Sequence, residues 1–127
     1  MITASITGTI KVTDNLTNSV ALSKPVNNAY TGELFTYGQS VIVGTGAYTV
    51  PLPITPIEFL YVKNLSANAG TTITVTWTPV GGSSANVITL DPGALIIFSE
   101  VITTNGISAL SLISNQAGTP VEFIIAG

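Results

Sequence analysis

Six carboxylates are the side chains of this sequence with the clearest capacity for acid–base chemistry. A glycosidase would place two carboxyl groups across the scissile bond, roughly 5–9.5 Å apart, and no two of the six have a spacing that singles them out. One of them, Asp91, precedes Pro92 and Gly93, which is typical of a turn rather than of a catalytic loop. The six are Asp14, Glu33, Glu58, Asp91, Glu100 and Glu122.

Histidine and cysteine are both missing from the 127 residues. Their absence excludes Ser-His-Asp triads, thiol nucleophiles, disulfides, zinc–thiolate sites and histidine metal cages. Calcium needs several oxygens grouped on one loop, whereas Asp14-Asn15 and Asp91 stand alone, so only a metal site assembled from residues distant in sequence stays open. We therefore expect no enzyme activity, no catalytic residue, no cofactor and no metal.

Aromatic residues are the remaining candidates for a binding site. Trp77 shares a strand face with Ile73 and Val75, which predicts a core tryptophan rather than a platform for a sugar ring. Three further aromatic residues lie close together around two glycines, with Phe35 and Tyr37 on one strand face and Tyr30 in the preceding loop. They form either an exposed interface patch or part of the core and its rim. The candidate patch is Tyr30, Phe35 and Tyr37.

The charge content is very low, because only 7% of the residues are charged, against about 25% in an average soluble domain. Three lysines and no arginine leave little to neutralise phosphates, so we expect no nucleic-acid partner. No stretch approaches the ~20 apolar residues of a membrane helix, so we expect no membrane partner. Threonine, serine, asparagine and glycine must cover the surface, which favours a protein packed against copies of itself or a partner protein.

The elements that must position these residues are strands, because the dominant hydrophobic period is 2. Apolar and hydroxyl residues alternate from Thr3 to Val12 and, most clearly, from Thr72 to Thr78. The run from Ala94 to Ile102 is apolar on both sides at its start, which predicts a strand covered on both faces. Further strands are predicted at 19–23, 34–43, 47–52, 58–64, 86–90, 107–114 and 120–126.

Turn residues separate these strands at intervals of about ten residues, which is typical of an all-β sandwich or barrel. Predicted turns include Asp14-Asn15, Pro25–Asn28 and Asp91–Gly93. Three prolines in Pro51–Pro56 exclude a central strand and predict an extended crossing between two sheets. An immunoglobulin-like domain would show a cysteine pair and a tyrosine corner, and both are missing.

We therefore predict an all-β fold, a jelly-roll-like antiparallel β-sandwich of about 8–10 short strands. Residues 1–16 are predicted to form an N-terminal arm or an edge strand. Residues 17–127 are predicted to form a single β-sandwich domain. This division follows from the more regular turn spacing of the later part of the chain.

One part of the sequence resembles a known class of proteins. An apolar strand ending in Lys-Asn (Phe59–Leu65), an alternating strand (Thr72–Trp77) and a segment ending in Asp-Pro-Gly (Ile88–Gly93) follow one another. With the small size and the richness in Thr, Ser, Asn and Gly, this pattern resembles small β-sandwich structural proteins of tailed-phage virions, most closely head decoration (cement) proteins.

The resemblance implies a location on the virion, at the capsid surface. It implies contacts with copies of the chain, as a homotrimer, and with the major capsid protein, so that the head is stabilised by bridging capsid subunits. Two alternatives stay open. One is a tail, baseplate or fibre-associated phage structural domain, and the other is a carbohydrate-binding β-sandwich module.

Overall fold

The computed structural model describes the backbone of residues 2–13, 20–32, 36–52, 56–99 and 106–127, and the side chains of 39–52, 56–98 and 106–127. The described chain is built from ten strands and contains no helix. The strands are β1 (Ile2–Thr13), β2 (Val20–Gly32), β3 (Thr36–Val43), β4 (Tyr48–Thr49), β5 (Phe59–Asn64), β6 (Ile73–Pro79), β7 (Asn86–Leu90), β8 (Leu95–Ser99), β9 (Ile107–Ser114) and β10 (Thr119–Ala126).

Eight of the strands form two four-stranded antiparallel sheets. Sheet I has the order β3-β10-β5-β8, and sheet II has the order β4-β9-β6-β7. The pairing is nested, because β3 pairs with β10, β4 with β9, β5 with β8 and β6 with β7. A long antiparallel hairpin folded over on itself gives this nested order, which is that of a jelly roll. The predicted jelly-roll-like β-sandwich is thus confirmed.

The core lies between the two sheets and follows from the period of 2. Leu60 and Val62 on β5 face Ile73 and Val75 on β6 across the sandwich, and all four are fully buried. Phe123, on the central strand β10, is among the largest fully buried side chains. Burying a side chain of this kind contributes roughly 1.5–3 kcal/mol to folding, so these inward positions carry much of the stability.

The chain passes from sheet II to sheet I between β4 and β5, directly after the segment Pro51–Pro56 for which the crossing was predicted. Ile57 and Ile107 exchange backbone hydrogen bonds of 2.9 and 2.7 Å, which tie this point to β9 of sheet II. The next residue, Glu58, donates its backbone N–H to the carbonyl of Ala126 on β10 of sheet I, at 2.9 Å. The change of sheet therefore falls between two consecutive residues. Residues 53–55 of the segment lie outside the described residues.

The turn at Asp91–Gly93 joins β7 of sheet II to β8 of sheet I and is confirmed. Ala94 donates its backbone N–H to the carbonyl of Asp91 at 2.9 Å. Gly93 has a φ of 77°, in the left-handed region that residues with a Cβ rarely adopt. The glycine after Pro92 is therefore what allows the chain to reverse here in three residues.

The N-terminal part of the described chain is a separate two-stranded sheet. β1 and β2 pair antiparallel from Ile2 opposite Gly32 to Thr13 opposite Val20. The turn predicted at Pro25–Asn28 is wrong, because these residues lie within β2. Both strands of a two-stranded sheet are edge strands, which is where proline is tolerated. Asp14-Asn15 lies outside the described residues, and the domain division at residue 16 stays a prediction.

The strand predicted from Ala94 corresponds to β8, but its expected cover on both faces is wrong. β8 is the last strand of sheet I, and its outward side chains Leu95 and Ile97 are exposed. An apolar run shows that a strand can be buried on both sides, whereas burial itself depends on which elements pack against it. The rest of the predicted strand, from residue 100, lies outside the described residues.

Candidate interaction surfaces

The three residues of the predicted aromatic patch fall in different parts of the fold. Tyr30 is in β2, opposite Ala4 of β1. Tyr37 is in β3, opposite Ile125 of β10 in sheet I. Phe35 lies outside the described residues. The sequence places the three within eight positions, but Tyr30 and Tyr37 belong to different sheets, and their shared patch stays a prediction.

Trp77 belongs to the core, as predicted. It is half-buried and packs against the buried residues between the sheets. On the neighbouring strands it lies opposite Asn86 of β7 and Leu110 of β9. The alternating threonines of β6 point the other way, since Ile73 and Val75 are fully buried and Thr74 and Thr76 are not. The indole ring is therefore mainly a packing element of sheet II.

The outer surface of sheet I carries several exposed apolar side chains. Ile124 of β10 lies opposite Tyr61 of β5, and Tyr61 lies opposite Ile97 of β8, so that these side chains form a row across three strands. Ile42 on the edge strand β3 has 68% of its surface exposed. We call this surface the apolar face, and it consists of Ile42, Tyr61, Leu95, Ile97 and Ile124.

One pair of opposite charges lies in the middle of the apolar face. Glu122 of β10 stands opposite Lys63 of β5, the position next to the Ile124–Tyr61 pair. Directly opposed charges of unlike sign stabilise a strand pair. Because one residue carries a negative charge and the other a positive charge, the apolar face keeps no net charge among its described residues.

Tyr61 is held in place from two sides. Its ring packs against a small buried cluster of Phe59 and Ala126 at one end of the apolar face. Its hydroxyl donates a hydrogen bond to the carboxylate of Glu122. Burial raises the pKa of the Tyr61 phenol above its ordinary value of 10.0, and the hydrogen bond and negative charge of Glu122 raise the pKa further.

The outer surface of sheet II has the opposite character. Thr76 of β6 lies opposite Ser111 of β9, which in turn lies opposite Thr49 of β4. We call this surface the hydroxyl face after its hydroxyl residues Thr49, Thr74, Thr76, Thr78, Thr89 and Ser111, beside which lie the apolar residues Val87, Ala109 and Ile113. Hydroxyl groups hydrogen-bond readily to water. The two outer surfaces of the sandwich thus differ, one being apolar and the other hydroxyl-rich.

A polar cleft of about 340 Å³ lies at one end of the sandwich, between the β5–β6 loop and the β9–β10 loop. Asn115 joins the loops, because its Oδ1 accepts a hydrogen bond from the Thr72 N–H at 2.9 Å and its Nδ2 donates to the Gly70 carbonyl at 2.8 Å. The Ser66 hydroxyl accepts a hydrogen bond from the Asn68 N–H at 3.1 Å. These hydrogen bonds hold the two loops together beside the cleft.

Asn64 is the buried polar residue that organises this end of the fold, and the sequence did not reveal it. Its Nδ2 donates to the carbonyls of Thr71, at 2.9 Å, and Leu90, at 3.0 Å, and its Oδ1 accepts from the Ser66 N–H at 3.0 Å. The signal available in the sequence was the pattern Asn64-Leu65-Ser66, which is that of a glycosylation acceptor. Full burial of Asn64 leaves its amide no access to a glycan.

The carboxylates of the described residues lie apart from one another. Glu58 is buried beside the sheet crossing, Asp91 is exposed in its turn, and Glu122 lies on the apolar face. In the part of the chain whose side chains are described, no three acidic groups come together in a way that could hold a metal ion. Glu33, Glu100 and Asp14 lie outside the described residues.

Two wider findings complete the description. Over the residues that the structure describes, no helix has the length and apolar character needed to cross a membrane. Comparison of the chain with protein-family models, with curated proteins and with solved structures finds no match.

Proposed function

We propose that this protein is a virion structural protein, a capsid decoration (cement) protein that stabilises the head by bridging capsid subunits. The observation that supports the proposal is the apolar face of sheet I. It presents five large side chains, Ile42, Tyr61, Leu95, Ile97 and Ile124, on one outer surface of a small jelly roll. Four of them, Tyr61, Leu95, Ile97 and Ile124, are neighbours on adjacent strands, whereas Ile42 lies beyond Glu122 and Ser40. Exposed apolar surface that spans several strands often marks a protein–protein contact.

The mode of binding follows from the composition of this face. Removing apolar surface from water contributes roughly 25 cal/mol per Å², and the central pair Glu122 and Lys63 already compensate each other's charge. The hydroxyl face on the other side of the sandwich suits contact with water. The protein would therefore lie with sheet I against the capsid and sheet II outward. Many copies on one particle would each bridge neighbouring subunits, and their stabilising effects would add.

The carbohydrate-binding alternative receives less support from the described side chains. Sugar rings bind on exposed aromatic platforms, and Trp77 packs against the core. Tyr61 is half-buried, and its hydroxyl is bonded to Glu122. A tail, baseplate or fibre-associated role would use the same apolar face on a different part of the particle. A decisive experiment therefore shows where on the particle the protein lies.

The test is to locate the protein on purified virus particles from the cultures that produce it. A tagged protein is detected by gold labelling and electron microscopy, and the proposal expects label spread over the head. Label confined to the tail or baseplate would support the tail alternative, and the absence of label from particles would contradict both.

A pair of variants then tests which surface attaches. Ile124→Lys places a charge in the centre of the apolar face, and Thr76→Lys places the same charge on the hydroxyl face. We expect Ile124→Lys to weaken attachment by about tenfold or more, which corresponds to 1.4 kcal/mol, and Thr76→Lys to have little effect. The reverse order would show that sheet II is the attaching side.

Attachment should also depend weakly on salt. Ionic strength screens interactions between exposed charges, whereas the apolar face has no net charge among its described residues. We expect the amount of bound protein to change little between low and high salt. Release of most of the protein at high salt would contradict attachment through the apolar face.

A further inference from the structure

We infer that the edge of the sandwich formed by β7 and β8 pairs with the same edge of a second copy of this chain. We call this edge the flank, and it consists of Asn86–Leu90 of sheet II and Leu95–Ser99 of sheet I. The inference concerns the edge of the sandwich, whereas the proposed attachment uses the outer surface of sheet I, and the two share Leu95 and Ile97 of β8. Val87 and Ile124 lie outside the shared residues, so variants at these two positions test the two proposals separately.

The flank contains one open edge of each sheet. In the described residues β7 pairs with β6 and β8 pairs with β5, and each is the last strand of its sheet. The short turn Asp91–Gly93 joins the two strands, so both open edges lie on the same side of the sandwich. An open edge presents unpaired backbone N–H and C=O groups, which can hydrogen-bond to a strand of another chain.

The flank also leaves the core incompletely covered. Ile88 of β7 lies opposite the fully buried Val75, yet 38% of its surface is exposed. Ile96 and Phe98 of β8 point inward against the core and are only half-buried. Asn86 of β7, opposite the half-buried Trp77, is exposed as well. Val87, with 62% of its surface exposed, lies opposite Thr76 and points outward, so its exposure belongs to the outer surface of the strand and not to the core.

The edge strand at the other end of sheet I behaves differently. β3 is also a last strand, but its inward side chains Val41 and Val43 are 9% and 0% exposed. Being at the edge of a sheet therefore does not by itself expose the inward residues of this sandwich. The incomplete cover is a property of the flank and indicates that a further element packs there.

The sequence of the flank has none of the usual protection against edge pairing. Monomeric proteins place lysine, proline or inward-pointing charges on exposed edges. β7 reads Asn-Val-Ile-Thr-Leu and β8 reads Leu-Ile-Ile-Phe-Ser, without a charge or a proline in either. Such strands are suited to continue a sheet into a neighbouring molecule.

A second copy is the partner that fits best, because the flank matches itself. Two identical strands related by a two-fold axis pair antiparallel, and each residue then makes the same contact in both copies. Charged strands would meet their own charge across such an axis and repel, and these strands carry none. A partner that binds through opposite charges would find no charged residue on β7 or β8. Pairing would extend each four-stranded sheet across both copies.

The oligomeric state of the purified protein tests this inference. We expect light scattering after size exclusion to give the mass of a dimer for the unmodified chain, and Val87→Lys to shift it to a monomer. Ile42→Lys is the matched control, because Ile42 is similarly exposed but lies on β3, and it should remain a dimer. A monomeric unmodified chain, a trimer, or equal dissociation by both variants would overturn the inference.

Single cysteines then test the pairing itself, since the chain has no cysteine of its own. Opposed residues of an antiparallel pair have Cβ atoms about 4.5–5.5 Å apart, which is within reach of a disulfide after small adjustments. Only the residue at the two-fold axis lies opposite its own copy, so single cysteines are placed in turn at each position of β8 from Leu95 to Ser99. Under mild oxidation we expect one of these variants to form a covalent dimer and Ile42→Cys to stay monomeric in denaturing gels. No cross-link at any of these positions would overturn antiparallel pairing of the flank.

The outcomes separate this inference from the proposed function. Ile124→Lys should lose attachment to particles and remain a dimer, whereas Val87→Lys should lose the dimer and keep the apolar face. If Ile124→Lys attaches normally while Val87→Lys is monomeric, attachment through the apolar face is contradicted and pairing through the flank is supported. If Val87→Lys remains a dimer while Ile124→Lys detaches, pairing through the flank is contradicted and attachment through the apolar face is supported.

Discussion

The side-chain amide of Asn64 donates a hydrogen bond to the backbone carbonyl of Leu90, 26 residues later, at 3.0 Å. Asn64 ends β5 of sheet I, and Leu90 ends β7 of sheet II. A single buried side chain therefore joins the two sheets at the end of the sandwich where their loops meet. Its other bonds, to Ser66 and Thr71, fix the start and the end of the β5–β6 loop.

Replacement of Asn64 by alanine should destabilise the protein strongly. It removes three buried hydrogen bonds, those to the carbonyls of Thr71 and Leu90 and the one from the Ser66 N–H. A buried polar group left unpaired costs about 1–3 kcal/mol. We expect the free energy of unfolding to fall by about 3 kcal/mol, measured by urea denaturation. The matched control is Asn115→Ala, which also removes bonds between loops. Asn115 is exposed, so water replaces the lost partners and the loss should stay near 1 kcal/mol or below, by the same reasoning. Equal losses would contradict the role of burial.

The hydroxyls of Ser114 and Thr119 form a buried pair across the β9–β10 turn, with their oxygens 2.6 Å apart. The Ser114 oxygen also accepts from the Gln116 N–H at 3.0 Å, so the pair holds the turn closed. We expect Thr119→Val, which keeps the side-chain shape, to lower the free energy of unfolding by about 1–2 kcal/mol.

A double-mutant cycle isolates the energy of this pair. Ser114→Ala and Thr119→Val combined should destabilise by less than the sum of the single changes, with a coupling of at least about 0.5 kcal/mol. Thr49→Val, on the exposed hydroxyl face, serves as the control and should change stability little. Additive effects of the two buried changes would show that the hydroxyls act independently.

Tyr61 should titrate at a higher pH than an ordinary tyrosine. Its pKa is raised by burial and, in addition, by the hydrogen bond and charge of Glu122. Glu122→Gln removes the charge, so the pKa of Tyr61 should fall but remain above 10.0, because burial still raises it. Absorbance near the tyrosinate band, recorded against Tyr61→Phe as the reference, isolates this titration.

The same shift sets the direction of a pH effect on stability. The folded-state pKa of Tyr61 is higher than its unfolded value, so the protonated phenol favours the folded state. This contribution is complete below pH 10.0, the ordinary value, and is lost as the pH rises through the folded-state pKa. Tyr61→Phe should therefore lose less stability than the unmodified chain above pH 10. A similar loss in both would contradict the role of this phenol.

Gly106 should tolerate no side chain. A Cβ at this position would overlap the carbonyl oxygen of Ile57 and the Cβ of Pro56, where the chain crosses between the sheets. We expect Gly106→Ala to destabilise by about 1–3 kcal/mol, the usual cost of forcing extra atoms into packed surroundings. Gly46→Ala is the control, because a Cβ there meets nothing within 4 Å. Thermal unfolding compares the two, and a neutral Gly106→Ala would contradict the close approach.

The sequence predicted much of the local structure because local rules dominate there. The alternation in Thr72–Thr78 placed Ile73 and Val75 inside, and Trp77 was correctly assigned to the core. Strands 86–90 and 107–114 were predicted with the bounds that β7 and β9 have. A period of 2 and turn residues such as Pro92-Gly93 depend on neighbouring residues in the chain, so they can be read without the fold.

The turn predicted at Pro25–Asn28 was wrong because the prediction depended on local residue preferences alone. Proline and asparagine favour turns locally, but pairing along the whole of β1 keeps these residues in β2. The aromatic patch of Tyr30, Phe35 and Tyr37 was likewise proposed from closeness in sequence. Closeness in sequence does not determine which sheet each residue joins.

The sequence by itself therefore determined that this protein is an all-β sandwich with a nearly uncharged surface and a hydroxyl-rich strand face. Only the tertiary structure decided which apolar residues remain exposed. β5 and β8 are apolar on both sides, and their sequences cannot show that Leu60 and Val62 face the core while Leu95 and Ile97 face outward. The physical reason is that burial depends on the partner sheet, sheet II, and that sheet is formed by pairings such as β4 with β9, which are far apart in the chain.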